Sequence, residues 1–490
     1  MTHPAVYSSI LSIVLVAISG TQSTIASAIP DSSLFSPSSS SLQARNYNET
    51  NPISQSYDWL TLQYLQYGAQ TEGLMSCVVP HSGGEKDDTP NLMGTVASCG
   101  IQDVEIVFAK NVTYNIYSPF QLANLSNVKI SIEGNLQFSE NRTLIQSQVA
   151  NITASTKYGK AYMQFSGENV TIAGSKDSGS GWLDCHGQQW WDIESVNYTN
   201  SALSANRPQT MTFDVKSGAL LDLKIYNNIA WNVKLLGSQN YVNNTFTYAV
   251  SNSTGYPFNT DGFNIGAEDV LIENSVVYGG DDCVAIASGS SNIVFRDAFC
   301  RGTHGLSIGS LGSGGAVSTV DGVLIKDVKI EKSAYGARFK SWVGGRGYAK
   351  NITWENIEAR QVIQPIFITT SYYDQQVGPP TDPGNSSTEI IDFTFKNFWG
   401  DIDSFAPKLS DATCVTDPCW NYVEGADGSQ VVILDLDKYK LVSGLTFENV
   451  GNFVATNRKT TSVICDPSQL NSTVVDGLGI VCQDGPLEST

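Results

Sequence analysis

One repeat constrains this chain more than any other feature. Glu268–Ser288 (EDVLIENSVVYGGDDCVAIAS), Ser291–Ser310 (SNIVFRDAFCRGTHGLSIGS), Asp321–Ser341 (DGVLIKDVKIEKSAYGARFKS) and Lys350–Thr370 (KNITWENIEARQVIQPIFITT) each hold three short apolar runs in the same order. The runs alternate, favour β-branched residues and are broken by Gly and Asn, which is the pattern of strands. Fainter copies lie at Asn127–Phe138, Asn169–Ala173, Ala219–Asn227, Asn232–Phe246 and Leu441–Val450. A unit of roughly 20–30 residues is of solenoid length. Three strands per unit make one coil of a parallel β-helix, with coils stacked at roughly 4.8 Å. A β-propeller blade needs four strands over roughly 40 residues or more. The expected fold is therefore all-β: a single right-handed parallel β-helix.

A short capping helix is expected at its N-terminal end. In Asp87-Asp88-Thr89-Pro90, Thr89 reads as the N-cap and Pro90 as the first helical residue, with the helix running to about Cys99. The acidic pair before it suits a helix N-terminus. Upstream, residues 29–45 are Ser-rich and read as a flexible leader. Ile10 to Ile18 is an apolar run too short to span a bilayer, and Ala26-Ser27-Ala28 is a small-residue cleavage pattern. The expected organisation is a signal peptide at 1–28, the leader at 29–45 and one catalytic β-helix at 46–490.

Sequons behind a signal peptide point to a glycosylated, secreted, extracellular protein, monomeric by default. They include Asn111, Asn124, Asn141, Asn151, Asn169, Asn197, Asn243, Asn252, Asn351, Asn385 and Asn471. Nine cysteines in an oxidising compartment imply disulfides and one thiol left over. Close spacing suggests Cys283–Cys300, Cys414–Cys419 and Cys465–Cys482; Cys77–Cys99 is a weaker pair, and Cys185 is the candidate free thiol. Four histidines and no ligand-type spacing give no zinc site. No metal or other cofactor is expected. A net charge of −19 argues against nucleic acid and anionic membranes as partners.

The repeat also serves as a ruler for chemistry. Stacking Thr260–Gly266, Asp281–Ala287 and Thr303–Gly309 puts Asp261, Asp282 and His304 at one position of successive coils, with Asp281 adjacent. The next coil, Tyr335–Lys340, places Arg338 and Lys340 two and four positions further along, and the one after supplies Ser371-Tyr372. Crowded carboxylates raise one another's pKa, so the cluster offers both a protonated acid and an ionised base. Glycoside hydrolysis needs that pair, and a gap that admits water gives inversion. Arg338, Lys340 and His304 bring positive charge and point to an acidic sugar. Taken singly, each Asp could be a turn residue, and the cations could be a solvated strand face. The shared stripe is what favours a site.

These motifs resemble glycoside hydrolase family 28, the polygalacturonase family. The resemblance rests on Asn259-Thr-Asp261, Gly280-Asp-Asp282, His304-Gly305 and Arg338-Phe-Lys340, in order, with Gly181–Asp192 similar on the N-terminal side. It is strong over about residues 180–375 and weaker outside. It implies metal-free inverting hydrolysis of pectic galacturonan, with Asp281 as general acid. Asp261 and Asp282 would activate water, and His304 would tune the acid. Arg338 and Lys340 would hold a galacturonate carboxylate, with Tyr372 and Asn259 also at the substrate. Long extra segments at 186–210 and 374–440 favour a closed, exo-acting cleft of the fungal type. A xylogalacturonan or rhamnogalacturonan hydrolase is the alternative. The sequence departs from the family pattern at Thr303, Phe339 and Cys185, and Thr303 could alter the sugar fit. Trp190, Trp191 and Trp342 are either sugar-stacking or core residues.

Overall fold

The structure, a computed structural model, describes residues 73–152, 160–197, 206–373, 386–404 and 422–490. Among these residues, twenty-seven strands join in one sheet. Apart from the first and last pairs, strands pair with the coils before and after, not with their sequence neighbours. Val284–Ile286, for example, lies parallel between Phe263–Ile265 and Leu306–Leu311. Only the last strand pair is antiparallel among the described residues. This is a parallel β-helix with its coils joined by backbone hydrogen bonds.

The wall that carries the site is numbered here: β1 (Val233–Asn243), β2 (Phe263–Ile265), β3 (Val284–Ile286), β4 (Leu306–Leu311), β5 (Tyr335–Trp342), β6 (Gln364–Tyr372), β7 (Gln430–Asp435) and β8 (Ser462–Cys465). Its inward row runs Val233, Phe263, Val284, Leu306, Ala337, Ile366 and Val432, all in one core. Alternation puts the intervening residues on the outer face. Inside, Trp354 stacks on Phe395 at 4.7 Å and donates its indole N–H to Leu306 O at 3.2 Å, at the start of β4.

Asparagines hold the corners. Asn127, Asn169, Asn351, Asn356, Asn397 and Asn449 all have φ between 51° and 56°, a left-handed turn that Asn tolerates better than most side chains. Each passes an amide bond to the coil below: Asn169 to Asn127 at 2.8 Å, Asn351 to Asp321 at 2.9 Å, Asn397 to Asn356 at 2.8 Å. Two of the sequon asparagines, Asn169 and Asn351, are therefore working members of side-chain ladders.

The helix α1 (Thr89–Cys99) packs Leu92 and Val96 into the core, with Pro90 in its first turn. Its N-cap is Asp88, not Thr89. Thr89 instead receives Asp87 Oδ1 on its backbone N–H and turns its hydroxyl to Ser118 O. The Asp88 carboxylate does not cap either. It is fully buried and takes hydrogen bonds from the backbone N–H groups of Ser82 and Asn115, with His81 at 2.9 Å. Satisfying a buried carboxylate outweighs an end-cap bond.

Cys283–Cys300 and Cys465–Cys482 are disulfides, and so is the weaker sequence pair Cys77–Cys99. Cys185 is free and buried. Cys414, Cys419, Asn385, the leader and the signal segment lie outside the described residues. Trp190 and Trp191 are core residues, so they do not stack on sugars. No described helix is long and apolar enough to cross a membrane.

Trp354→Ala is expected to cost about 3–5 kcal/mol by cavity formation, read from urea unfolding midpoints at constant m-value. When the chain is made in a secretory host, glycopeptide mass spectrometry should find glycan at Asn111 and Asn252 but not at Asn169 or Asn351, whose side-chain amides are bonded to the adjacent coil. Full occupancy at either ladder position would show that the ladder is dispensable.

Candidate active site

The register sets the catalytic column. Phe263, Val284 and Leu306 are Cα partners, so Asp261, Asp282 and His304, two residues before each, lie one above another. Leu306 pairs with Ala337, which puts His304 opposite Tyr335. Arg338 and Lys340 therefore stand three and five positions beyond the column, not two and four. The odd offset still converges because the column lies in the turn before the strands, where the pleat has not begun. Arg338 and Lys340 sit on the outer face of β5, while Ala337 and Phe339 point into the core.

The turn is locked from behind and from the side. Cys283, next to Asp282, is tied to Cys300. Thr260 Oγ donates to Pro257 O at 2.7 Å and accepts from the Gly280 N–H at 2.8 Å. A Cβ on Gly280 would fall 2.5 Å from Pro257 O, so only glycine allows this approach. Asn259 donates from Nδ2 to Asp281 Oδ2 at 3.1 Å. Arg207 supports Asn259 from the far side, donating to its Oδ1 at 3.3 Å and to the carbonyls of Ile229 and Phe258. Sequence reasoning missed Arg207: it lies outside the clear repeats, 52 residues from Asn259.

Six ionisable groups meet here with little solvent. Asp261, Asp282, His304, Arg338 and Lys340 are all buried, and Asp281 keeps 19% of its side chain exposed. Lys340 Nζ donates to Asp282 Oδ2 at 2.7 Å, Ser307 Oγ donates to Asp282 Oδ1 at 2.6 Å, and Arg338 Nη1 stands 3.8 Å from the same Oδ1. The Arg338 guanidinium lies 4.0 Å over the Tyr335 ring and 5.8 Å from that of Tyr372. His304 Nδ1 is 3.2 Å from Asp281 Oδ1. Asp261 Oδ1 has no hydrogen-bond partner in the protein.

Asp261 and Asp281 are driven apart. Burial first, then the charges of Asp281 and Asp282, push Asp261 well above the usual carboxylate range. Burial also acts to raise Asp281, but the charge and hydrogen bond of His304, then Lys340 and Arg338, outweigh it and hold Asp281 well below that range. One oxygen from each of the three carboxyls lies within 4.8 Å of the others. Such a set could suit a hard cation. Both oxygens of Asp282 and of Asp281 are already engaged, however, and the balancing charge comes from Lys340, Arg338 and His304. The donor set fits an acid–base cluster better than a metal site.

The remaining sequence candidates fall into place. Tyr372 pairs with Trp342 across β5 and β6, with rings 5.3 Å apart edge to face. Thr303 faces away from the sugar side: it is buried, its hydroxyl is 3.1 Å from Ser333 Oγ, and its backbone N–H donates to the same atom.

A parallel β-helix whose catalytic turn gathers three aspartates, a histidine and two cations defines a polysaccharide-cleaving class. The model of the glycosyl hydrolases family 28 matches residues 100–426, and the chain belongs to that family. It is a glycoside hydrolase. It is 35% identical over 418 residues to the "Probable exopolygalacturonase C" of Aspergillus flavus, covering 84% of this chain and 92% of that one. Its identity to the protein of the same name from Aspergillus fumigatus is 36% over 420 residues, covering 84% and 91%. Among solved structures, the endo-xylogalacturonan hydrolase of Aspergillus tubingensis shares the fold, with a TM-score of 0.65 at 23% identity over 84% of this chain and 99% of that one.

Asp261→Asn tests the electrostatic account. Below the ordinary aspartate range the carboxyl is protonated in folded and unfolded chains alike, so the substitution changes little. As pH rises the unfolded chain ionises first, and the parent loses stability until the folded carboxyl ionises too. The variant should melt with the parent near pH 3 and above it at about pH 6–7, while losing hydrolysis. A lower melting temperature near neutrality would mean that the Asp261 anion is stabilised in place.

Proposed function

We propose that this chain is a secreted enzyme that hydrolyses α-1,4-galacturonosyl linkages of pectin from a chain end, with inversion. The observation that carries the reading is the buried cluster of three aspartates balanced by His304, Arg338 and Lys340. Few substrates other than an acidic sugar would justify two buried cations beside three carboxylates. The exopolygalacturonase relatives support galacturonan as substrate.

The roles follow from the environments. Asp281 and His304 share the proton that goes to the leaving oxygen. In the free protein His304 first, then Lys340 and Arg338, keep that proton off Asp281. A galacturonate carboxylate bound at Arg338 and Lys340 weakens that field and raises the proton affinity of Asp281, so substrate loads its own acid. Asp282 and Asp261 flank the attacking water: Asp261, held protonated by its surroundings, orients it through the open Oδ1, and Asp282 takes its proton. A water about 2.8 Å from each of two oxygens fits a cluster of this size. The 4.8 Å cluster is tighter than the about 6.5–9.5 Å usual for inverting pairs. Inversion is therefore inferred from the family and from the open Asp261 oxygen, not from spacing.

The floor of the cleft favours chain-end action. Its outer row runs Asn264, Ala285, Ser307 and Arg338, then turns apolar at Phe367, Ile433 and Ile464. Phe367 and Ile433 belong to a separate cluster with Tyr335, packed by Val423, Ala426 and Ile464. One coil past His304 the row through Arg338 meets this apolar plug, while the neighbouring outer row stays polar through Lys340, Thr369 and Asp435. Secretion, glycosylation and a monomeric state complete the reading, supported by the signal-like start, the sequons and the acidic composition; no nucleic acid, membrane or cofactor is invoked.

Digestion of polygalacturonate in deuterated, mildly acidic buffer, followed by proton NMR, tests the proposal, with Asp281→Asn as control. The first product should be monogalacturonate of inverted configuration, absent with the variant. Mixed oligomers would overturn chain-end action, unsaturated ends would point to a lyase, and a retained anomer would overturn the roles of Asp261 and Asp282.

A further inference from the structure

His304 touches more than Asp281. Its other ring nitrogen, Nε2, lies 3.5 Å from the hydroxyl of Tyr256. That hydroxyl donates its own proton to the carbonyl of Gly280 at 2.8 Å. With its hydrogen committed, the oxygen turns lone pairs to the imidazole, so Nε2 meets an acceptor and not a donor. Nδ1 already faces the Asp281 carboxylate. Both ring nitrogens thus face acceptors, which favours the doubly protonated ring.

The tyrosine is held for this. Its ring packs edge to face on Phe258 at 5.0 Å. A Cβ on Gly280 would come within 3.0 Å of the ring. The loop that bears Tyr256 is tied to the catalytic turn by the Thr260 bonds to Pro257 and Gly280.

We propose that Tyr256 is a positioning residue for the general acid: its hydroxyl oxygen holds the second proton on His304, and through His304 sets the pH range over which the pair with Asp281 carries a transferable proton. The inference rests on the reading that Asp281 and His304 share the acid proton. The charged and titratable groups around His304 are Asp281 and Asp282 on the coil before it, Asp261 one coil further back, Tyr335 edge to face from β5 at 6.4 Å, and Arg338 and Lys340 beyond it. The two cations oppose a protonated ring and the carboxylates favour it, so Tyr256 adds a local acceptor to a balanced field.

Tyr256→Phe keeps the ring and removes only the hydroxyl. The alkaline limb of kcat against pH should move to lower pH by about half to one unit, with KM for polygalacturonate changed less than twofold. The His304 ring, followed by carbon-13 NMR in the folded protein, should titrate lower by the same amount. Incorporating 3-fluorotyrosine at 256 keeps the shape and weakens the oxygen as an acceptor, so it should shift the limb the same way by less; this covers the case in which the phenylalanine variant folds poorly. Unmoved pH profiles and an unmoved His304 titration overturn the proposal. If Asp281→Asn is inactive in the same assays, the acid assignment survives that result. An active Asp281→Asn overturns the assignment itself.

Discussion

Backbone hydrogen bonding between coils is the constraint on which everything else rests. Parallel pairing fixes each coil to within one residue of the next, and a slip of one would send every inward side chain to the outer face. The core enforces the register, because Phe263, Val284, Leu306, Ala337 and Ile366 must all point inward. Once that row is set, the residues two before it have no freedom in height or direction. The carboxylates converge because apolar residues further along the same strands are buried.

That rigidity makes the charge cluster tolerable. Charges taken out of water cost several kcal/mol each unless they are paired and hydrogen-bonded in good geometry. Asp282 satisfies both oxygens at 2.6–2.7 Å, and Asp281 is held by Asn259, His304 and the Asp282 N–H. Asp261 is the member left without full compensation, and it is the one placed to meet water under the proposed mechanism. The strain is concentrated on a group whose discomfort has a use.

The fold was legible because one pattern repeats with strand periodicity, and the column of Asp261, Asp282 and His304 was legible because the repeat aligns it. The one-residue error at Arg338 arose where the alignment ran from turn to strand without an anchoring match. Thr89 misread as a cap has a similar origin: nothing local tells that Asp88 is claimed by Ser82, Asn115 and His81. Arg207 and Tyr256 were invisible for a different reason. They lie on connections outside the repeat, and their partners are set by how loops return to the turn. Two members of the asparagine ladders, Asn169 and Asn351, were visible as sequons; that each also fills a left-handed corner was not.

One tension in the composition bears on chain-end action. A protein of net charge −19 repels a polyanion at long range. At physiological salt the repulsion is screened beyond about 8 Å, so what matters is how many sugar carboxylates must enter the unscreened interior. An open groove would bring several past Asp261, Asp281 and Asp282, with Arg338 and Lys340 the buried cations placed to meet them. If the apolar cluster at Phe367 and Ile433 closes the Arg338 side of the cleft, a terminus enters and most of the polymer stays in solvent. Two buried cations suffice for the one or two carboxylates next to the cleaved bond. On this account the apolar plug sets where the chain is cut, and it also limits how much like charge the site must accommodate.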